Sequence, residues 1–243
     1  ATRVDLLPDG PTADRLARVE LIDAADDSDL APLAEFLSTR RTYRKAFTDQ
    51  PIGREAMAAI RAAIDHEGAT LFTLDDNGKI EAGKLVGEGD RMQWDDVHWR
   101  RELAMWMHPR RRGDGLALPA MAVPIARLVT RSFDLGTNVG AKDQQLADAS
   151  PWLTVLATEH DDAQSWLHAG QALQRALLVG CSLAMQASYL NQPVQVSALR
   201  PRLSALTLSA AFPQLLIRWG YPGEQLPPAP RRSIDEILAF DAS

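Results

Sequence analysis

Residues 37–47 read "LSTRRTYRKAF" and place Arg40, Arg41, Arg44 and Lys45 within six positions. Arginine offers a planar fork of N–H donors that suits phosphate oxygens. In an extended segment Arg40, Thr42 and Arg44 share one face. Thr42 adds a hydroxyl and a backbone N–H between the two guanidiniums. The chemistry such a face supports is capture of an anion, a phosphate above all. The plainer alternative is a solvated basic helix end, where cations meet the negative pole of the helix dipole. A second basic pair, Arg231 and Arg232, follows the prolines of "PPAPRRSIDEIL". Those prolines hold the pair stiff and extended. Two such elements, far apart in sequence, can converge on one phosphate.

The background charge makes the cluster stand out. The chain has 243 residues, with 26 Lys and Arg against 32 Asp and Glu, a formal net charge of −6. That balance argues against wholesale binding to nucleic acid or to an anionic membrane. Any anion site is therefore a local concentration of positive charge. Apolar residues make up 46 % and charged residues 24 %, the mixture of a soluble globular protein able to bury a core. The single cysteine, Cys181, excludes an internal disulfide and a cysteine metal cage. It suits a reducing compartment, and the expectation is a cytoplasmic protein. Charges interrupt every apolar run before it reaches the length of a membrane span. The opening "ATRVDLLPDG" has the character of neither a signal peptide nor a transit peptide.

Other constellations carry less. His98, His108, His160 and His168 lack the spacing of a metal motif, and no metal is expected. Ser165, Ser182 and Ser188 lack a G-x-S-x-G context. Neither a P-loop nor a G-x-G-x-x-G is present. "RRRGDG" at 110–115 reads as an exposed basic loop, and Cys181 as a buried small residue. Trp94, Trp99 and Trp106 fit a core, or a lid over a flat ring. No side chain stands out as catalytic.

The positioning elements are mostly helical. "TADRLARVELI" predicts a short helix running into a strand, and "DSDLAPLAEFLSTRR" a helix capped by Asp27 or Ser28. "GREAMAAIRAAIDHEG" predicts a helix closed by Gly68 at C′. "ATLFTL" follows as a strand and "DDNG" as a turn. Residues 79–107 read as a long helical stretch broken near Gly87 and Gly89, and 119–131 as a further helix. Residues 131–151 have no clear period and read as a mobile connection or lid. "WLTVLAT" predicts a strand. Residues 161–190 predict a core helix of about thirty residues, capped through "HDD". "QVSALRPRLSAL" predicts a shorter helix, and "FPQLLIRWGYP" a final strand and turn. Helices with three or four strands make an α+β layered domain.

Three of these stretches, in order, resemble the nitroreductase-like FMN-dependent oxidoreductases. "RRTYRKAF" resembles their "RRSxRxF" segment. "WLHAGQALQRALLVGCSLAMQASYLNQPVQ" looks like their central helix and the turn after it. "FPQLLIRWGYP…PPAPRRSIDEIL" looks like their terminal strand, Gly-Tyr-Pro turn and basic tail. With "VDLLPDGPTADRLARV" ahead of them, the chain is most similar to the Acg-type subfamily of actinobacteria, over nearly all of residues 1–243. The resemblance implies a layered fold with a central, mostly antiparallel sheet flanked by helices and one long core helix. It implies FMN as cofactor, with Arg40, Thr42 and Arg44 on its phosphate, ribityl chain and pyrimidine edge. Arg231 would contact the phosphate, assisted by Arg232, and Arg41 belongs to the same set. Arg44 would place positive charge near flavin N1 and O2.

The implied reaction takes a hydride from NAD(P)H to flavin N5 and on to a nitroaromatic or quinone. The alternative is a protein that sequesters FMN under a cover, with residues 79–131 as the candidate helical lid or insertion. Two departures stand out. The family's "SxxNxQPW"-like segment is not found, and "SYLNQP" at 188–193 is offset by one residue and read as coincidence. In Acg-type chains that segment lies in an N-terminal portion that makes a pseudo-dimer. This chain reads as the part that follows, so a homodimer partner or that portion would complete the flavin site. Ala184 stands where the family often has glycine after the long helix.

Overall fold

The computed structural model describes residues 1–23, 30–109, 116–119, 121–132, 136–227 and 232–238. The chain opens with strands β1 (Thr2–Leu6) and β2 (Ala17–Leu21), paired antiparallel with Val4 opposite Val19. The helix expected across "TADRLARVELI" is absent. Helix propensity is a weak prior, and the turn following Pro8, with Gly10 at φ 96°, returns Ala17–Leu21 to a waiting strand. Ala31–Leu37 is a 3-10 helix with Pro32 in its first turn rather than a full α-helix. Its expected caps, Asp27 and Ser28, lie outside the described residues.

Then follow α1 (Arg54–Asp65), β3 (Thr70–Thr73), α2 (Asp76–Asp95), α3 (Val97–Met105), β4 (Met107–Pro109) and β5 (Leu116–Leu118). Next come α4 (Val123–Ser132), α5 (Gly136–Asp148), β6 (Trp152–Thr158), α6 (Ala163–Ser182) and β7 (Gln186–Tyr189). The chain continues through α7 (Gln192–Gln195), α8 (Arg200–Ala205), β8 (Phe212–Gly220) and α9 (Ile234–Ile237). The central sheet has the order β3–β6–β8–β7 and is antiparallel throughout. β4 and β5 form a separate parallel pair.

Alternation along the inner strands assigns the two faces. Trp152, Leu156, Ile217 and Trp219 bury against Ile60 and Ile64 of α1 and Ala172 and Ala176 of α6. Leu153, Val155 and Leu216 bury against Leu85 and Val86 of α2 and Leu203 of α8. The result is an α+β fold of three layers, with helices on both faces of one sheet. β6 is buried at all seven positions, as its mostly apolar sequence requires.

Four expectations change. "DDNG" is not a turn but the start of α2, because the Asp75 carboxylate accepts from Gly78 N at 2.7 Å. Turns and helix N-caps draw on the same side chains. Gly87 and Gly89 do not break α2; they let neighbours approach. A Cβ at Gly140 of α5 would lie 3.1 Å from the Gly87 carbonyl oxygen, and one at Gly89 would lie 2.7 Å from Gln192 Cβ. The break comes at Asp96, which ends α2 and caps α3 through His98 N. The supposed mobile connection contains α5, and the long helix stops at Ser182, short of its expected length. The "HDD" cap holds: Asp162 accepts from Ser165 N at 2.9 Å.

α1 and α6 end in the same Schellman closure. At Gly68, N–H groups 68 and 69 bond to carbonyls 65 and 64 at 3.1 and 3.4 Å. At Ala184, N–H groups 184 and 185 bond to carbonyls 181 and 180 at 3.0 and 2.8 Å. The closure demands a left-handed residue, and Ala184 supplies it at φ 59° despite its Cβ. Replacing Ala184 with glycine is expected to stabilise the protein by about 1 kcal/mol. The urea midpoint should rise at unchanged slope; an unmoved midpoint would show that the turn carries no strain.

Candidate functional site

β7 is an edge strand; residues 42–43 pair with it, and residues 47–48 pair with the chain just past β8. Thr42 bridges Ala187 in parallel, and Tyr43 N donates to Ala187 O at 2.9 Å. At the far end Thr48 N donates to Tyr221 O at 3.0 Å, and Phe47 bridges Pro222. Between these anchors the inward side chains are apolar and aromatic. Tyr43 and Phe47 are buried and stack with centroids 5.3 Å apart. Phe47 lies so close to Gly220 that a Cβ there would fall 2.5 Å from the ring. The Tyr43 hydroxyl accepts from Gly223 N at 3.2 Å.

The four cations of the segment separate. Arg40 and Arg44 lie on the side of Tyr189, the last residue of β7. Burial pushes the Tyr189 phenol up, and the charges of Arg40 and Arg44 oppose that shift. Neither guanidinium, nor the Thr42 hydroxyl, makes a hydrogen bond to a described residue. Arg41 turns elsewhere: its Nη1 donates to Ser38 O at 2.7 Å and Arg40 O at 2.8 Å. With Thr39, Tyr43, Cys181, Gln186 and Glu224 it borders a cavity of about 640 Å³. Cys181 is half-buried at that cavity rather than fully enclosed. Lys45 pairs with Glu224, and that hydrogen bond raises the lysine's pKa. Arg231 lies outside the described residues, and Arg232 is exposed just ahead of α9.

Behind β7 lies a polar cluster that sequence reasoning missed. Gln192 Nε2 donates to Asp90 Oδ1 at 3.1 Å and to Asp143 Oδ2 at 2.9 Å. Burial pushes Asp90 from 3.8 to about 6, against the Gln192 hydrogen bond and with help from the Asp143 charge. Burial also raises Asp143, while Gln192, Arg218 and Lys142 counter it. Arg218 of β8 is 1 % exposed, and burial brings it down to about 10. Asp90 Oδ2, Gln192 Oε1 and Arg218 Nε are buried without a partner among the described residues. An arginine inside the otherwise apolar "LLIRWG" is the one signal that could have pointed here. Asn191, next to Gln192, is also structural: its Oδ1 accepts from Leu216 N at 3.0 Å.

The tryptophans divide as well. Trp94 is buried and meets Trp99 edge-on at 5.4 Å. Trp99 and Trp106 border an open groove of about 550 Å³, closed on its other side by Gln195, Val196 and Ser197.

No family model matches the chain. Over 98 % of its length it is 27 % identical to a Mycobacterium tuberculosis H37Rv protein named "putative NAD(P)H nitroreductase", 70 % of which is covered. A second protein of that strain, uncharacterised, is 28 % identical over 84 % of this chain and 61 % of its own length. Among solved structures, an FMN-bound nitroreductase of Bacteroides fragilis shares 15 % identity at a TM-score of 0.52, covering 86 % of this chain and 98 % of that one. Iodotyrosine deiodinase bound to FMN and 3-iodo-L-tyrosine shares 12 % identity at a TM-score of 0.58, covering 87 % and 99 %. At such identities these structures establish the fold alone.

The cluster predicts a pH signature. An acid whose pKa is raised by folding binds its proton more tightly in the folded state. Its stabilising effect is complete at low pH and is lost as pH climbs from about 4 to about 6. Asp90→Asn should remove that loss, a gain on the order of 1–3 kcal/mol at pH 8 relative to its effect at pH 4. Denaturant midpoints of both proteins across that range read the difference. Parallel pH profiles would mean that Asp90 does not titrate as its burial demands.

Proposed function

We propose that this chain is a nitroreductase-like protein that binds FMN and works as an NAD(P)H-dependent oxidoreductase of the Acg type in the cytoplasm. The observation that carries the reading is the outward face of residues 40–44. The charges of Arg40 and Arg44 both act on Tyr189, Thr42 lies between them in sequence, and none of the three side chains has a hydrogen-bond partner among the described residues. Such a donor set fits a phosphorylated ligand. We assign Arg40 to the FMN phosphate, Thr42 to the ribityl chain and Arg44 to the pyrimidine edge. Arg231 and Arg232 add phosphate contacts from the tail. The path of that tail supports them, since residues 221–224 run beside the segment through the Thr48–Tyr221 and Lys45–Glu224 contacts.

The chemistry FMN supplies when bound is two-electron transfer, in as hydride from NAD(P)H and out to a nitroaromatic or quinone. The protein's part is to bind and orient. No nucleophile or acid–base pair is required of it, and Arg44 would favour negative charge at the pyrimidine edge. We assign residues 79–131 as the wall or lid above the ring, supported by the aromatic groove at Trp99 and Trp106. A second copy, or an N-terminal portion of a longer chain, completes the pocket. No described helix is long and apolar enough to cross a membrane.

The test is an absorption spectrum of the protein loaded with FMN, followed by anaerobic NAD(P)H. Flavin bands that bleach within the mixing time fit an oxidoreductase; bands that persist fit sequestration under a cover. Replacing Arg40 and Arg44 together with methionine removes two charge-assisted contacts and should weaken FMN by about a hundredfold or more. Undiminished affinity in that variant would sink the site assignment.

A further inference from the structure

Arg218 is the most deeply buried charge among the described residues. Alternation along β8 puts it on the α2–α5 face, opposite Ser188 of β7. Its fork reaches across to the covering segment. Nη2 donates to Tyr43 O at 3.5 Å and to Lys45 O at 3.4 Å, and Nη1 donates to Leu146 O at 3.4 Å. The plane of the guanidinium lies over the Phe47 ring, with Cζ 5.1 Å from the centroid. Asp143 is the carboxylate whose charge acts on it.

These contacts do not look like an optimum for stability. The hydrogen bonds are long, Nε has no described partner, and burying a guanidinium carries a large desolvation cost. An apolar side chain of similar volume would fill the same space without that cost. What it could not do is hold two carbonyls of one strand at once. Arg218 meets the backbone carbonyls of residues 43 and 45 and the ring of Phe47, in the same segment that carries Thr42 and Arg44. Between the anchors at Tyr43 N and Thr48 N, Arg218 takes the place of a neighbouring strand.

We infer that Arg218 is a positioning residue for the anion-binding segment. Through Tyr43 O and Lys45 O it sets the twist of residues 43–47, and with it the common direction of Thr42 and Arg44. The inference rests on the reading of that segment as the FMN site.

The experiment compares the whole chain with Arg218→Met, which keeps volume, and Arg218→Lys, which keeps charge but loses the fork. Amide hydrogen exchange is read without flavin. The segment 43–48 should exchange at least about tenfold faster in Arg218→Met, while β6 stays protected. FMN titration should show at least about a tenfold weaker complex in both variants. Thr42→Ala should weaken FMN in the parent and much less in the Arg218→Met background, because Thr42 is then already misdirected. A merely structural arginine would leave the two effects additive. If Arg218→Met does not fold, Arg218→Lys carries the same readings. Unchanged exchange in 43–48, or Thr42→Ala costing the same in both backgrounds, overturns the inference. Faster exchange in Arg218→Met, with a parent that binds no FMN, would keep the clamp and overturn the flavin reading instead.

Discussion

A sheet that ends at β7 leaves a row of unpaired N–H and C=O groups, and something has to cover them. Here residues 42–43 pair with the edge at Ala187 and the segment runs on to pair at residues 47–48 with the chain past β8, and the rest of the site follows from that path. An extended chain alternates its side chains. Lying on an edge strand, it must send one set toward the core and the other away. Tyr43 and Phe47 go inward, where they stack and bury. Thr42 and Arg44 go outward. The face proposed to bind an anion is thus the back of a packing element, and its geometry is inherited from the core contacts beneath it.

Those contacts run deep. Phe47 fits against the open backbone of Gly220 and lies under Arg218. Arg218 is on the same strand as Gly220 and reaches the carbonyl of Leu146 in α5. α5 in turn meets α2 through Gly140 and Gly87, close enough to bring Asp143 and Asp90 to one side-chain amide. That amide belongs to Gln192, the first residue of α7, which follows β7. Segment 40–48 and α7 therefore share a polar layer behind the sheet edge. A buried network with some partners missing is sensitive to the protonation of its members. In this one the sensitive member is Asp90, whose burial brings its titration toward neutrality.

The parts of this arrangement that sequence could reveal are those with a strong local signal. β6 is apolar at nearly every position because both of its faces are covered, and it reads as a strand at sight. α1 shows its apolar stripe and its closing glycine. α5 shows neither, since its contact with α2 is made by small residues such as Gly140 and Ala147, which leave no bulky periodic pattern. "DDNG" misled because aspartate favours both turns and helix caps. Alternation groups Arg40, Thr42 and Arg44 on one face of an extended segment, and in the structure Thr42 does pair with the edge strand at Ala187. Arg218 was not legible: its meaning depends on β8 lying inside the sheet, which is a property of topology rather than of the stretch "LLIRWG".

The four cations at 40–45 also look different once the edge is covered. Lys45 is matched by Glu224. Arg41 folds back on carbonyls of its own turn. Both are taken up by the structure, and neither adds to the outward face. What remains there is the charge of Arg40 and Arg44. A phosphate monoester carries a charge of about −1.5 to −2 near neutral pH. Two guanidiniums without described hydrogen-bond partners come close to balancing it, so the acidic chain needs no broad basic surface to hold such a ligand. With Lys45 and Arg41 engaged, the positive charge left at the proposed phosphate site is that of Arg40 and Arg44 rather than of four cations.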